Sequence, residues 1–320
     1  MVILITGGAG FIGSNLSGHF ISRGHSVVCY DSFDSYYSPT IKRKNILGLV
    51  QHPKFTLLEG DVRDEKALER AFSHQKIDVV VHLAARAGVR PSIEQPALYY
   101  DVNVTGTLRL LEAMKLAGTT KLIFGSSSSV YGNSRKVPFS ELDSVDEPIS
   151  PYAASKKAAE LVCHTYCHLY GFDIFCLRFF TVYGPRQRPD MAIYLFVQKV
   201  LDGLPITLFG DGSSCRDYTF IDDIVHGLEM ATTKVTGYEV INLGESSTIR
   251  LIDLIHVIEK ELGIKANIQR QPMQKGDVEV TFADISKARS ILGYSPQFEI
   301  EDGIHRFCEW VRDERTASMN

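Results

Sequence analysis

Tyr152 and Lys156 stand four residues apart in Ser150-Pro151-Tyr152-Ala153-Ala154-Ser155-Lys156, so on a helix they share one face. A free phenol ionises at about pH 10 and is a poor base at neutral pH. An ammonium one turn away stabilises the phenolate and makes the tyrosine a proton acceptor. A serine run, Ser126-Ser127-Ser128-Ser129, follows an apolar segment at the point where a loop begins. Near the start of the chain another apolar segment runs into Gly7-Gly8-Ala9-Gly10-Phe11-Ile12-Gly13.

Glycines at 7, 10 and 13 let a tight turn and a helix N-terminus approach a pyrophosphate that any side chain would block. The spacing is Gly-x-x-Gly-x-x-Gly rather than Gly-x-Gly-x-x-Gly, but its place between a first strand and a first helix is the one this use requires. Gly7, Gly10, Phe11, Ile12 and Gly13 therefore form the expected cradle. Asp31 ends the second apolar run. A carboxylate there accepts hydrogen bonds from an adenosine ribose diol and repels a 2′-phosphate, which favours NAD over NADP. Asp61 and Val62 follow the third run, within reach of the adenine. Leu83, Ala84 and Ala85 end the fourth with small side chains that leave room for the cofactor. Asn103 lies in an apolar helical stretch, where an amide needs partners. It serves the cofactor or ties strand ends together. Lys156 is placed to hold the nicotinamide ribose, and a cationic nicotinamide adds to its effect on Tyr152.

These groups need a frame. Apolar runs at residues 2–5, 27–30, 55–59, 79–83, 121–124 and 174–177 alternate with helical patterns beginning near Phe11, Asp64, Leu98 and Pro151. That alternation predicts an α/β fold with a doubly wound parallel sheet covered on both faces. Residues 239–243 add a further strand, and residues 251–262 and 300–312 form helices of a smaller α/β lobe. The division is interleaved: 1–178 with 217–244 for the cofactor, 179–216 with 245–320 for the substrate. At 320 residues, with 44% hydrophobic and 22% charged, a large core is expected. A net charge of −4 argues against nucleic acid or a membrane surface as partner. Cys29, Cys163, Cys167, Cys176, Cys215 and Cys308 follow no disulfide spacing. No leader and no run near the ~18 apolar residues of a membrane span is present, so a cytoplasmic protein is expected. Cys163, His164, Cys167 and His168 fall in pairs on adjacent helix faces and do not close a tetrahedron, so no metal is expected.

Taken together, Thr6-Gly7-Gly8-Ala9-Gly10-Phe11-Ile12-Gly13, His82-Leu83-Ala84-Ala85, Ser129-Val130-Tyr131-Gly132, the Tyr152/Lys156 pair, Leu177-Arg178-Phe179-Phe180 and Arg216-Asp217-Tyr218 resemble the extended short-chain dehydrogenase/reductases that act on nucleotide sugars. The likeness spans essentially the whole chain. It implies a Rossmann sheet, a C-terminal lobe that holds the nucleotide, and a catalytic hydroxyl at Ser127. It also implies a homodimer built through a four-helix interface of residues 98–117 and 151–170. In such enzymes the tyrosine takes a proton from a sugar hydroxyl, a 4-keto sugar forms and turns over, and NAD is regenerated.

Members that dehydrate the sugar carry Asp-Glu where this chain has Ser128-Ser129, and decarboxylating members tend to carry Glu at the second of these positions. Without a carboxylate there, elimination has no base and epimerisation remains. The segments Arg86-Ala87-Gly88-Val89-Arg90 and Tyr183-Gly184-Pro185-Arg186-Gln187-Arg188-Pro189-Asp190-Met191 are similar to those of UDP-glucuronate 4-epimerases. That likeness puts Arg188 on the C6 carboxylate, a fit for a planar guanidinium fork. Thr181, Ser128 and Ser129 add neutral donors, and Arg90 joins the sugar side. Holding the carboxylate out of alignment with the C4 ketone also suppresses decarboxylation of the β-keto acid. For the nucleotide, the resemblance points to Arg216 on the diphosphate, Asp277 near the ribose and Phe209 beside the uracil, with Gln274 where relatives carry a further arginine. The alternatives are a UDP-glucose or UDP-N-acetylhexosamine 4-epimerase, or a catalytically silent NAD-binding regulator. The intact Tyr152/Lys156 pair speaks against the last.

Overall fold

The computed structural model describes residues 1–272 and 278–319. The expected contacts of Gln274 and Asp277 lie outside these residues. Six strands, β1 (Val2–Thr6), β2 (Ser26–Asp31), β3 (Phe55–Glu59), β4 (Val79–His82), β5 (Lys121–Ser127) and β6 (Asp173–Phe179), alternate with helices. These are α1 (Phe11–Ser22), α2 (Pro39–Ile46), α3 (Glu65–His74), α4 (Val89–Glu94), α5 (Pro96–Tyr100), α6 (Gly106–Ala117) and α7 (Pro151–Tyr170). Then follow β7 (Thr181–Tyr183), α8 (Ala192–Leu201), β8 (Ile206–Phe209), β9 (Cys215–Arg216), β10 (Tyr218–Phe220), α9 (Ile221–Lys234), β11 (Tyr238–Leu243), β12 (Ile249–Arg250), α10 (Leu251–Leu262), β13 (Ile268–Gln271), α11 (Ser286–Leu292) and α12 (Ile300–Met319).

Seven strands form one sheet in the order β11-β6-β5-β4-β1-β2-β3, every pair parallel. This is the doubly wound order, with its switch between β1 and β4. Successive strand residues feed opposite faces: Ile3 and Ile5 join one apolar cluster, and Leu4 joins the other. Both faces are dry, which is why the strands read as unbroken apolar runs. The first cluster continues through α8, α10 and α12 as far as Val311, so the C-terminal elements share a core with the sheet. The small pairs β10·β7, β12·β9 and β13·β8 stand apart from the main sheet.

Where structure and expectation differ, the causes are local. Helix α2 was not anticipated, although Ser38-Pro39 places a proline at its first turn, a common start signal. The helical pattern from Leu98 is three pieces: α5, a π-turn at Asp101–Thr105, and α6. The extra residue of the π-turn rotates Asn103 inward. Helix α12 continues past Arg312 to Met319.

Candidate active site

The C-terminal end of each strand from β1 to β6 delivers residues to one cavity of about 400 Å³. Gly7 follows β1, Asp31 ends β2, Asp61 follows β3, Leu83 follows β4, Ser127 ends β5 and Phe179 ends β6, and all six line it. A ligand crevice at the carboxyl ends of the strands is the rule for open α/β sheets.

The glycine turn fits a dinucleotide. Gly7 sits at φ +69°, and a Cβ there would lie 2.7 Å from the Ala84 amide nitrogen. At Gly13 a Cβ would meet the Gly7 carbonyl oxygen at 2.2 Å. Gly10 caps α1 with no side-chain hydrogen bond, and Gly10, Phe11, Ile12 and Gly13 all line the cavity. The first N–H groups of α1 are thus left for a phosphate. Asp31 is buried, with Oδ2 accepting from the Ala9 amide at 3.0 Å and Oδ1 from the Phe33 amide at 2.9 Å. Burial pushes its pKa up, and the two amides and the nearby Lys42 charge hold it back. The carboxylate is fixed beside the cradle, where a ribose diol can reach its remaining lone pairs. Val62, Ala84 and Ala85 line the same cavity.

Asn103 does not line the cavity. Its Oδ1 accepts from the Arg86 amide at 2.7 Å, and its Nδ2 donates to the Arg86 carbonyl and the Ser155 hydroxyl. It braces the loop after β4 against α7.

Tyr152 lies in the first turn of α7, where Pro151 sets the backbone and Ser150 Oγ accepts from the Ala153 amide. The positive end of the helix dipole favours a phenolate there. Even so, burial raises the phenol above its ordinary value, against the pull of a hydrogen bond with Ser127 and the charge of Arg188. Lys156 Nζ donates to the Gly125 carbonyl at 2.6 Å, and burial pushes its pKa down to about 8. Burial thus works against the phenolate, and the charge expected of a cationic nicotinamide would work for it. Ser127 caps the turn at Ser128–Tyr131, accepting from the Ser129 amide at 3.2 Å and donating to the Ser129 hydroxyl at 3.1 Å.

Ser127, Ser128, Ser129, Thr181 and Arg188 line the cavity with Tyr152. Arg188 is not free there: Nε and Nη2 donate to Asp190 Oδ1 and Oδ2 at 3.0 and 2.9 Å. Arg90, Phe209 and Arg216 do not line it. The Arg90 guanidinium lies 5.0 Å from the centre of the Phe209 ring. Ile206 and Leu208 of β8 are buried in the core, leaving Thr207 and Phe209 on the other face. Arg216 Nη1 donates to the Cys215 and Glu279 carbonyls, and Glu279 lines a second cavity of about 410 Å³ with Gly132, Arg135, Val137, Val278 and Val280 among others.

Tyr36 and Lys42 carry no sequence signal of a site, and Arg86 and Met191 stand in the two segments of the resemblance without a role of their own; all four line the main cavity. They sit in irregular loops or at a short helix, where no periodicity marks them. Only Ser38-Pro39, the start signal of α2, pointed toward Lys42. Among the described residues no group of three or more His, Cys, Asp or Glu is arranged to hold a metal, and no helix is long and apolar enough to cross a membrane.

The chain is 44% identical over 311 residues to a UDP-glucuronate 4-epimerase of Thermodesulfobacterium geofontis, covering 97% of this chain and 96% of that one. The crystal structure of UDP-glucuronic acid 4-epimerase from Bacillus cereus, in complex with UDP-glucuronic acid and NAD, superposes with a TM-score of 0.91 at 38% identity, over 98% of this chain and 100% of that one. A UDP-glucose 4-epimerase from Thermotoga maritima, with UDP-glucose, gives the same TM-score at 33% identity and the same coverage. Backbone shape alone thus does not separate acid from neutral sugar. Residues 4–307 match the family model described as GDP-mannose 4,6 dehydratase. The chain belongs to that family, within the extended short-chain dehydrogenase/reductases.

Proposed function

We propose that this chain interconverts UDP-glucuronate and UDP-galacturonate by epimerisation at C4, with NAD as cofactor. The chemistry that bound NAD supplies is reversible oxidation at C4. The glycine cradle and Asp31, which line the cavity, would hold its pyrophosphate and adenosine ribose, and Lys156 its nicotinamide ribose. Tyr152 takes the proton of the C4 hydroxyl, and Ser127 hydrogen-bonds the same oxygen and relays the proton. Proton transfer of this kind contributes typically ~100- to 10,000-fold.

One observation carries the substrate: Arg188 lines the cavity with Tyr152, Ser127, Ser128, Ser129 and Thr181, and none of these polar neighbours is a carboxylate. The guanidinium suits the C6 carboxylate, and the hydroxyls restrain it without offering a base for elimination. Phe209, Arg216 and Asp277 would serve the nucleotide end and Arg90 the sugar, so that residues 179–216 and 245–320 would hold most of the UDP-sugar while 1–178 and 217–244 would hold NAD. A second reading, a UDP-glucose 4-epimerase, gains support from the equal TM-score of 0.91 with the Thermotoga maritima enzyme.

Incubation of the purified protein with UDP-glucuronate, followed by anion-exchange separation, tests the reading. UDP-galacturonate should form, the reverse reaction should run, and little UDP-pentose should accompany either. No product, or UDP-pentose alone, contradicts it.

A homodimer is part of the same proposal. Tyr100, Leu108, Leu116, Leu161, Leu169 and Tyr170 are exposed on α5, α6 and α7, an apolar surface suited to a four-helix contact. Sedimentation should give twice the chain mass. A cytoplasmic location fits six cysteines that are all free thiols.

A further inference from the structure

The proposed uronate site has a feature that the substrate alone does not explain. Arg188 faces the cavity, yet one edge of its guanidinium is taken by a carboxylate of the chain itself. Asp190 does not line the cavity and is exposed, with 42% of its side chain open to solvent. It therefore grips the Nε–Nη2 edge from outside. A guanidinium has five N–H donors in a rigid plane, and edge-on chelation uses one on Nε and one on Nη2. The other Nη2 donor and both Nη1 donors stay available for a second, end-on pair.

Tyr36 holds the assembly from the side. Its hydroxyl donates to Asp190 Oδ2 at 3.4 Å, and the Arg188 guanidinium lies 5.4 Å from its ring centre. Arg86 lies 5.3 Å from the same ring and is tied to Asp34 at 2.6 Å. The backbone is tight here as well: the Met191 amide donates to the Arg188 carbonyl, and the Gln187 amide to that of Gly184. A long side chain that would otherwise sample many rotamers is thus held in one.

We infer that Asp190 is a positioning residue for substrate selection, aiming Arg188 from behind so that its open end meets the acid group of a uronate. This inference rests on the proposed epimerase reading. The contrary effect, repulsion between Asp190 and the substrate carboxylate, is weakened because Asp190 faces water. Loss of aim is not screened in that way. Orientation matters doubly for this substrate, because a 4-keto uronate whose carboxylate turns out of place decarboxylates. The C5–C6 bond then breaks, carbon dioxide leaves, the electron pair enters the C4 enolate and C5 takes a proton from water, giving a UDP-4-keto-pentose that return of the hydride first removed from C4, with a proton, converts to UDP-pentose.

The test compares wild type, Asp190→Ala, Asp190→Asn and Asp190→Glu. For each, kcat/KM is measured with UDP-glucuronate and UDP-glucose, with the UDP-pentose fraction and a melting curve. Asp190→Ala should lower the acid-to-neutral ratio of kcat/KM by about ten-fold, the scale of one hydrogen bond to a charged group. UDP-pentose should rise at the same time. Asp190→Asn should fall between, and Asp190→Glu should recover part of the ratio. A ratio that rises in Asp190→Ala, or a ratio and UDP-pentose fraction both equal to wild type, overturns the assignment alone. Wild type that acts on UDP-glucose and not on the acid overturns the epimerase reading and this assignment with it.

Discussion

Arg178 and Arg188 each present the Nε–Nη2 edge of a guanidinium to one carboxylate, at nearly the same distances: 2.9 and 2.8 Å to Glu160, 3.0 and 2.9 Å to Asp190. Their surroundings differ. The side chains of Arg178 and Glu160 are 2% and 0% exposed, those of Arg188 and Asp190 20% and 42%. Glu160 also accepts from the Ser126 hydroxyl at 2.7 Å, and Arg178 lies 4.9 Å from the Tyr131 ring centre. The buried pair joins α7 to the ends of β5 and β6. In the interior such a pair has no water to fall back on, so each partner is structurally indispensable to the other. At the cavity rim the same geometry leaves donors open, and the pair can serve a ligand.

Helix α7 carries both a reacting group and an anchor, and separating them gives the largest effects. Tyr152→Phe should cut turnover by ~100- to 10,000-fold with the melting temperature nearly unchanged. Full activity in steady-state assays would mean another group moves the proton. Glu160→Ala should instead cost about 3–5 kcal/mol in denaturant unfolding, since it leaves Arg178 buried and uncompensated. A loss no greater than that of Asp190→Ala, expected at about 1 kcal/mol or less, would collapse the contrast between the pairs.

Two smaller effects sharpen it. Replacing both partners, Glu160→Met with Arg178→Met, should recover most of the stability lost in Glu160→Ala. Equal destabilisation in the same unfolding assay would show that Ser126 and Tyr131 depend on the charges themselves. Lys156 supplies a pH test. Burial lowers its folded pKa to about 8, below the unfolded value of about 10.4. Between those values the unfolded chain binds more protons, so this group makes stability rise with pH across that window, and its cost is fully present below about 8. Urea midpoints from pH 7 to 10 should rise less in Lys156→Met than in wild type. Parallel curves would contradict the burial account. Glu160 behaves in the opposite range: burial raises its pKa, but Arg178 outweighs burial and holds it below its ordinary value. Its contribution is present above the unfolded carboxylate value and is lost as pH falls through the folded one.

Much of this was legible in residue types. Apolar runs located all seven strands of the main sheet to within a few residues, because both faces of a parallel sheet are buried. Gly7, Gly13, Asp31, Tyr152 and Lys156 stood out because each answers a demand set by one backbone position. Glu160 follows Lys156 at the next turn, so helical spacing alone could have placed it on the same face. Tyr36 was silent, and Asp190 and Arg86 stood in resembling segments without a role, for a physical reason: they lie in loops and meet only through tertiary packing. Asn103 stood out because a polar residue in an apolar helix signals a need for partners without saying which.

The central claim is that Arg188 selects an acidic sugar. Its most direct test is the ratio of kcat/KM for UDP-glucuronate to that for UDP-glucose, in wild type and in Arg188→Ala. Wild type should favour the acid. Arg188→Ala should lose activity on the acid by on the order of 100-fold, as when one partner of a desolvated charge pair is removed, and should retain nucleotide binding. A wild type that prefers UDP-glucose, or an Arg188→Ala ratio equal to that of wild type, would contradict the account.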